Sequence, residues 1–144
     1  MSTSLSPNFT LQEFTLSQTA ERLGLDNTPP PEILDHLKST ALRLEAVRDL
    51  LKRPIIVSSG YRSPEVNKAV GGVGTSAHTQ GWAVDFIAPG YGDPLHICKA
   101  IAASLIEFDQ IIQEGTWVHI SFAPTMRRQL LTKTGTGYAT GIAA

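Results

Sequence analysis

The 144-residue chain carries a net charge of −1, with 42% hydrophobic and 17% charged residues, which are ordinary values for a single globular domain. This balance excludes a general electrostatic attraction to nucleic acid or to anionic membranes, and we expect no nucleic-acid partner. No stretch approaches the ~20 apolar residues of a membrane span, so we expect no stable membrane insertion. The single cysteine, Cys98, excludes an intrachain disulfide.

The first third of the chain is predicted to be mainly helical. Residues 1–9 are predicted to be a flexible lead, after which Thr10 and Glu13 have the spacing of a capping box for a short helical turn. A helix is predicted over 17–23. The clearest helix is predicted over 31–52, where apolar residues recur at every third or fourth position.

The rest of the chain alternates short strands with helices. Ser63 can cap a helix that begins at Pro64. Apolar residues at helical spacing, Leu105 among them, predict a helix over 94–106. Strands are predicted from short apolar or alternating runs at 55–58, 82–87, 109–113 and 116–122.

These elements predict an α+β fold. A small antiparallel sheet would carry a functional site on one face, with the helices at 31–52 and 94–106 packed on the other. We expect a single domain over residues 1–124. Residues 125–144 are rich in Thr, Gly and Ala, so we expect a weakly ordered C-terminal tail there.

The stretch that says most about chemistry is 76–85, SAHTQGWAVD, in which His78 and Asp85 stand seven positions apart. A second stretch, 117–122, WVHISF, carries His119. Two histidines and a carboxylate are a common ligand set for catalytic zinc, because three protein ligands leave the fourth position for water. We therefore hypothesise that His78, Asp85 and His119 hold one zinc ion.

Strand alternation supports this hypothesis. Successive side chains of a strand point to opposite faces, which places Asp85 opposite Val84 and Phe86 and places His119 opposite Val118. Two adjacent strands of this kind would bring Asp85 and His119 together, with His78 reaching in from the preceding loop.

The other two histidines are interpreted more simply. His36 lies off the apolar stripe of its helix and is expected to be solvated, whereas His96 is expected to pair with local polar groups.

The pattern S-x-H-x-x-G-x-A-x-D followed by W-V-H-I-S resembles the zinc peptidases that include D-alanyl-D-alanine carboxypeptidases and many phage endolysins. SSGYRS at 58–63 and FTLSQTAERLGLDNTPPP at 14–31 also resemble that family, so the resemblance covers residues 8–124. It implies the hedgehog-type zinc peptidase fold and a Zn²⁺ cofactor.

The resemblance also suggests a catalytic base, although the chain departs from the family pattern here. Many members have a glutamate three residues before the second metal histidine, a position that Thr116 occupies in this chain. A threonine cannot act as the base. The nearest carboxylate is that of Glu114, five residues before His119, which becomes our candidate, with Asp109 as the second choice.

Two substrate-binding residues follow from the same resemblance. In the family, the arginine after Gly-Tyr binds substrate carboxylate or carbonyl groups, a role that would fall to Arg62. Ser76 also matches the family and is expected to hydrogen-bond the substrate.

The function that the resemblance implies is zinc-dependent hydrolysis of the peptide stem of bacterial peptidoglycan. An endolysin-like L-alanyl-D-glutamate endopeptidase is our first expectation, and a D-alanyl-D-alanine carboxypeptidase is the alternative. A non-catalytic binding module that holds zinc, as in hedgehog signalling domains, stays open because of Thr116.

Localisation and assembly are also expectations. The N-terminus MSTSLSPNFT lacks a basic region followed by an apolar run, so we expect no signal peptide. A bacteriophage lysis protein of this kind would be made in the bacterial cytoplasm and would reach the periplasm or cell wall after release through a separately encoded pore. We expect a monomer.

Overall fold

The computed structural model describes residues 3–72, 74 and 76–144. Five α-helices are present in these residues, together with a 3-10 helix at Ala77–Gln80. The α-helices are α1 (Leu11–Thr15), α2 (Gln18–Leu23), α3 (Pro31–Leu51), α4 (Pro64–Ala69) and α5 (Pro94–Ala102). The strands are β1 (Ser4–Ser6), β2 (Phe9–Thr10), β3 (Ile56–Ser59), β4 (Ala83–Ile87), β5 (Gln110–Gln113), β6 (Val118–Ser121), β7 (Gln129–Thr134) and β8 (Gly137–Thr140).

The α+β prediction is confirmed. A six-stranded sheet has the order β3-β4-β6-β5-β7-β8, and every neighbouring pair is antiparallel except β5 and β7, which run parallel. In the centre of the sheet β4 pairs with β6. One face of these two strands enters the hydrophobic core, where it meets buried residues of α3 and α5. The strand residues are Val84, Phe86, Val118 and Ile120, and the helix residues are Leu37, Leu44, Val47, Ile97 and Ile101.

The local signals at helix starts are confirmed. Thr10 and Glu13 form the reciprocal capping box of α1. The Ser63 hydroxyl accepts a hydrogen bond from the Val66 backbone amide at the start of α4.

The helix predicted over 94–106 ends earlier, at Ala102. The backbone amide of Ser104 bonds to the carbonyl of Ile101, and its hydroxyl bonds to the same carbonyl, so a turn replaces the next helical turn. Leu105, which its spacing assigned to the apolar face, is 99% exposed.

Both ends of the chain depart from expectation. Within the described part of the predicted flexible lead, β1 and β2 form a hairpin, and the Glu45 carboxylate of α3 accepts hydrogen bonds from the Ser6 hydroxyl and the Asn8 side chain. Where a weakly ordered tail was expected, β7 and β8 extend the sheet. The composition of 125–144 did not indicate this order, because the β7–β8 hairpin joins the sheet through the pairing of β7 with the distant strand β5.

No helix among the described residues is both long enough and apolar enough to cross a membrane.

Candidate metal centre

His78 is oriented by the 3-10 helix and by a contact to the strand region before it. The Ser76 hydroxyl accepts a hydrogen bond from the His78 backbone amide (3.2 Å), and Gly81 ends the 3-10 helix in a left-handed conformation (φ 77°). The His78 Nδ1 atom lies 2.7 Å from the carbonyl oxygen of Gly60. A carbonyl can only accept, so Nδ1 carries the proton and the Nε2 lone pair is left free for a metal.

Gly60 is needed at that place because the backbone is tightly packed there. A Cβ atom on Gly60 would lie within 3.0 Å of three backbone atoms of Phe14. The Tyr61 amide also bonds to the Phe14 carbonyl (2.6 Å), which holds the segment against α1. The glycine of the SSGYRS stretch therefore positions the carbonyl that orients His78, a role that sequence reasoning missed.

The sheet register brings Asp85 and His119 together. The two residues are directly paired across β4 and β6, as their alternation with core residues predicted. Asp85 Oδ1 lies 3.0 Å from His119 Nδ1 and 3.3 Å from His78 Nε2. One ligand atom from each of the three residues lies within 4.8 Å of the others.

This arrangement fits zinc. Tetrahedral zinc with bonds of about 2.0–2.1 Å separates neighbouring ligand atoms by about 3.3 Å, close to the two distances at Asp85. The donor set of two imidazole nitrogens and one carboxylate oxygen is the one that zinc favours. His78 and His119 are both buried, so their imidazoles are fixed in place.

The electrostatics of Asp85 keep it ionised and ready to bind a cation. Burial raises the pKa of its carboxyl group, but the contacts with the His119 and His78 side chains outweigh burial. The net result is a pKa well below the ordinary value.

The three residues line a cavity of about 710 Å³. Arg62, Glu114, Trp117 and Tyr138 are also in its wall. Three polar atoms of this wall are buried without a hydrogen-bond partner among the described residues: Arg62 Nε, Glu114 Oε1 and Trp117 Nε1. Buried polar groups are nearly always paired, so an unpaired set around one cavity indicates that a ligand completes it.

Glu114 is the better placed of the two candidate bases. Burial raises the pKa of its carboxyl group above the ordinary value, and the charge of Asp85 adds to this, while His119, Lys133 and Tyr138 act in the opposite direction. A partly buried carboxylate with a free oxygen and a raised pKa suits a general base.

Asp109 lies in the same cavity wall but is fully engaged. Its carboxylate accepts hydrogen bonds from Arg127 Nε and Arg127 Nη2, each at 2.9 Å, and from the Thr125 hydroxyl at 2.6 Å. The Arg127 hydrogen bonds lower the pKa of Asp109 to about 2. With its lone pairs occupied, Asp109 is a structural ion pair and a poor proton acceptor.

Arg62 is partly buried beside the metal group. Burial lowers the pKa of its guanidinium below the ordinary value, and the negative charge of Asp85 partly offsets this. Its Nε–H has no partner among the described residues, which leaves a donor for an anionic or carbonyl oxygen. Ser76 also lines the cavity, but its hydroxyl already caps the 3-10 helix.

The remaining histidines were only partly anticipated. His96 pairs with Asp93 (2.6 Å) at the surface, as predicted. His36 is not simply solvated, since its ring stacks on Trp82 with centroids 4.1 Å apart and its Nδ1 lies 2.6 Å from the Gln80 carbonyl. His36 therefore braces the loop that carries His78, and nothing in the helical pattern of its own segment indicated this contact.

Comparison with known proteins identifies a family. The family model described as Peptidase M15 matches residues 7–121, which include all three members of the candidate metal group. A search of curated proteins found no match.

Proposed function

The chain belongs to the peptidase M15 family, and from that premise we propose that it hydrolyses peptide bonds in the stem of bacterial peptidoglycan. The family makes it a zinc-dependent peptidase. We assign His78, Asp85 and His119 as the zinc ligands. The observation that carries the proposal is the juxtaposition, in one cavity, of this metal group with an unpaired carboxylate oxygen of Glu114.

The zinc ion and Glu114 would have distinct parts in the reaction. When bound, zinc would polarise the scissile carbonyl and make a water molecule more acidic. Glu114 Oε1 accepts the proton of the attacking water and returns it to the departing amine. Its raised pKa favours the first transfer, because a carboxylate that holds a proton more tightly is a stronger base.

The proposed role of Arg62 is to orient the substrate. Its free Nε–H, at the wall of the cavity, can donate to a carboxylate or carbonyl oxygen of the stem peptide. Trp117 Nε1 offers a second unpaired donor on the same wall. The Ser76 hydroxyl already accepts a hydrogen bond from the His78 backbone amide. Its main role is therefore to cap the 3-10 helix, and we expect its effect on substrate binding to be small.

The bond that we propose is the one between L-alanine and D-glutamate. The carboxyl group of D-glutamate that is not part of the peptide chain supplies an anionic partner for Arg62, and a cavity of about 710 Å³ admits a chain that continues on both sides of the bond. A carboxypeptidase that removes terminal D-alanine is the second candidate, favoured by the same unpaired Arg62 donor, which could hold a terminal carboxylate.

Mass spectrometry of muropeptides digested by the zinc-loaded protein tests this choice. New products with a free D-glutamate amino terminus support the endopeptidase. Loss of D-alanine alone identifies the carboxypeptidase instead. Intact muropeptides, from protein that contains one zinc per chain, would instead indicate a non-catalytic module.

The metal assignment has a separate test. Substitution His119→Ala should abolish stoichiometric zinc binding and activity, as measured by metal analysis of the purified protein and by muropeptide cleavage. The matched control is His96→Ala, because the His96 side chain is 68% exposed and forms its ion pair with the surface residue Asp93. Retention of one zinc per chain in His119→Ala would refute the assignment.

An endolysin role in bacteriophage release is also proposed, on the strength of the wall substrate. Expression in a bacterial cytoplasm should leave cells intact, whereas export to the periplasm should lyse them. A protein that cleaves muropeptides but causes no lysis after export would act in wall maintenance rather than in lysis.

A further inference from the structure

The C-terminal hairpin forms part of the cavity that holds the metal group. Leu131 of β7 and Tyr138 of β8 line this cavity together with Glu114 and His119. Both hairpin residues lie beyond residue 121, where the match to the family ends. The hairpin therefore brings to the site side chains that lie outside the matched region.

The register of three strands aligns Tyr138 with Glu114. Gln113 of β5 pairs with Thr132 of β7, so Glu114, one residue further on, lies beside Lys133. Lys133 in turn pairs with Tyr138 of β8. Paired residues on neighbouring strands point to the same face, and the side chains of Glu114, Lys133 and Tyr138 therefore form one row across the sheet.

The hairpin is tied to the sheet at its far end as well. The Thr132 hydroxyl donates to the Gly141 carbonyl (2.7 Å) and accepts from the Ala143 amide (2.9 Å). Gln113 Nε2 donates to the Ala143 carbonyl (3.0 Å). These contacts fix the position of β8 relative to the end of β5, so Tyr138 does not depend on its own packing for its place.

We propose that Tyr138 is a positioning residue for Glu114, to whose carboxylate its hydroxyl donates a hydrogen bond, and that the hairpin is thereby part of the catalytic apparatus. This inference rests on the proposed role of Glu114 as the base. Tyr138 is 55% exposed, which leaves its ring accessible to substrate.

The titration behaviour of the two groups agrees with this contact. Burial raises the pKa of Tyr138, and the charge of Glu114 and the hydrogen bond with it add to the effect. For Glu114 the hydrogen bond with Tyr138 lowers the pKa, although burial keeps it above the ordinary value. The other charged groups that act on Glu114 are His119, Asp85 and Lys133.

The test is Tyr138→Phe in the zinc-loaded protein, which removes only the hydroxyl. We expect kcat for muropeptide cleavage to fall about tenfold, the size of one lost hydrogen bond to a charged group, with KM changed by less than about twofold. Removal of a donor that stabilises the carboxylate raises its pKa, so the acidic limb of the kcat/KM profile should move to higher pH. Zinc content and melting temperature should match those of the wild type.

A readout that does not depend on turnover follows the carboxyl group itself. In protein with ¹³C-labelled glutamate, the resonance of Glu114, assigned by its disappearance in Glu114→Gln, should titrate at higher pH in Tyr138→Phe than in the wild type. Tyr91→Phe is the control, because Tyr91 is an exposed tyrosine outside the cavity, and it should change neither kcat nor this titration.

The outcomes separate this inference from the proposed function. If Glu114→Gln is inactive but Tyr138→Phe keeps the wild-type kcat and Glu114 titration, the positioning role is wrong and the proposed base stands. If Glu114→Gln retains wild-type turnover, the base assignment fails, and the role of Tyr138 fails with it. An equal fall of kcat in Tyr91→Phe would also overturn the inference.

Discussion

Asp109 and Glu114 flank the same strand, β5, and line the same cavity, yet their environments are opposite. Asp109 is held by Arg127 and Thr125, and these contacts lower its pKa to about 2. Glu114 keeps an unpaired buried oxygen, and burial raises its pKa. Two carboxylates five residues apart thus lie in different environments, one suited to holding structure and one suited to exchanging a proton.

The difference between Asp109 and Glu114 shows that spacing along the sequence does not reveal which carboxylate already has hydrogen-bond partners. Both residues were candidates for the base because each is a carboxylate near His119, and their order of preference came from distance along the chain. The structure separates them by their partners, since Arg127, which pairs with Asp109, comes from the segment before β7, and no local pattern predicts that pairing.

The different roles of Asp109 and Glu114 are tested most directly by removing each carboxylate in turn and measuring turnover. Glu114→Gln should lower kcat by about 10²- to 10⁴-fold, the usual contribution of general base catalysis, and should leave the zinc content unchanged. Asp109→Asn, in protein shown to be folded and zinc-loaded, should change kcat far less. A larger loss of kcat in Asp109→Asn than in Glu114→Gln would reverse the assignment.

The second prediction concerns the free energy of unfolding, which substitution of Asp109 should change. Asp109→Asn should lower the free energy of unfolding by about 2 kcal/mol, because it removes the buried charged acceptor of the hydrogen bonds from Arg127 and Thr125. Urea unfolding at neutral pH measures this. The control is Asp93→Asn, which breaks an exposed pair with His96 and should cost clearly less. An equal loss of unfolding free energy in the two variants would mean that burial of Asp109 does not strengthen its ion pair.

The parts of the fold and site that could be predicted share a local physical cause. Alternation in β4 and β6 assigned Asp85 and His119 to one face and the core residues to the other, and the observed pairing of these two residues is the consequence. The boundaries of α3 followed from its apolar periodicity, and the start of α4 from its capping serine.

The parts that could not be predicted depend on distant segments. The parallel pairing of β7 with β5 creates order in a Thr- and Gly-rich stretch, and the stacking of His36 on Trp82 joins a helix to a loop. No periodicity within either segment encodes its partner. The early end of α5 is different, since Leu105 had the right spacing but the turn at Ser104 had already ended the helix.

The smallest expected effect is also the most specific, because the two carboxylates should affect stability with opposite signs. The depressed pKa of Asp109 stabilises the fold at pH values above its ordinary pKa of about 3.9, and this contribution is lost as the pH falls towards about 2. The raised pKa of Glu114 does the reverse: its ionised form costs stability at neutral pH, and the cost is relieved as the pH falls through its folded-state pKa.

In metal-free protein, where zinc release does not interfere, Glu114→Gln should therefore raise the urea midpoint at pH 7, while Asp109→Asn lowers it. Both differences from the wild type should shrink on acidification, and that of Glu114→Gln should shrink at the higher pH because its carboxylate protonates first. Midpoints measured at intervals from pH 7 to pH 3 give both curves. Two differences of the same sign at neutral pH would show that the two carboxylates share one environment, and the contrast between holding structure and exchanging a proton would then have no electrostatic basis.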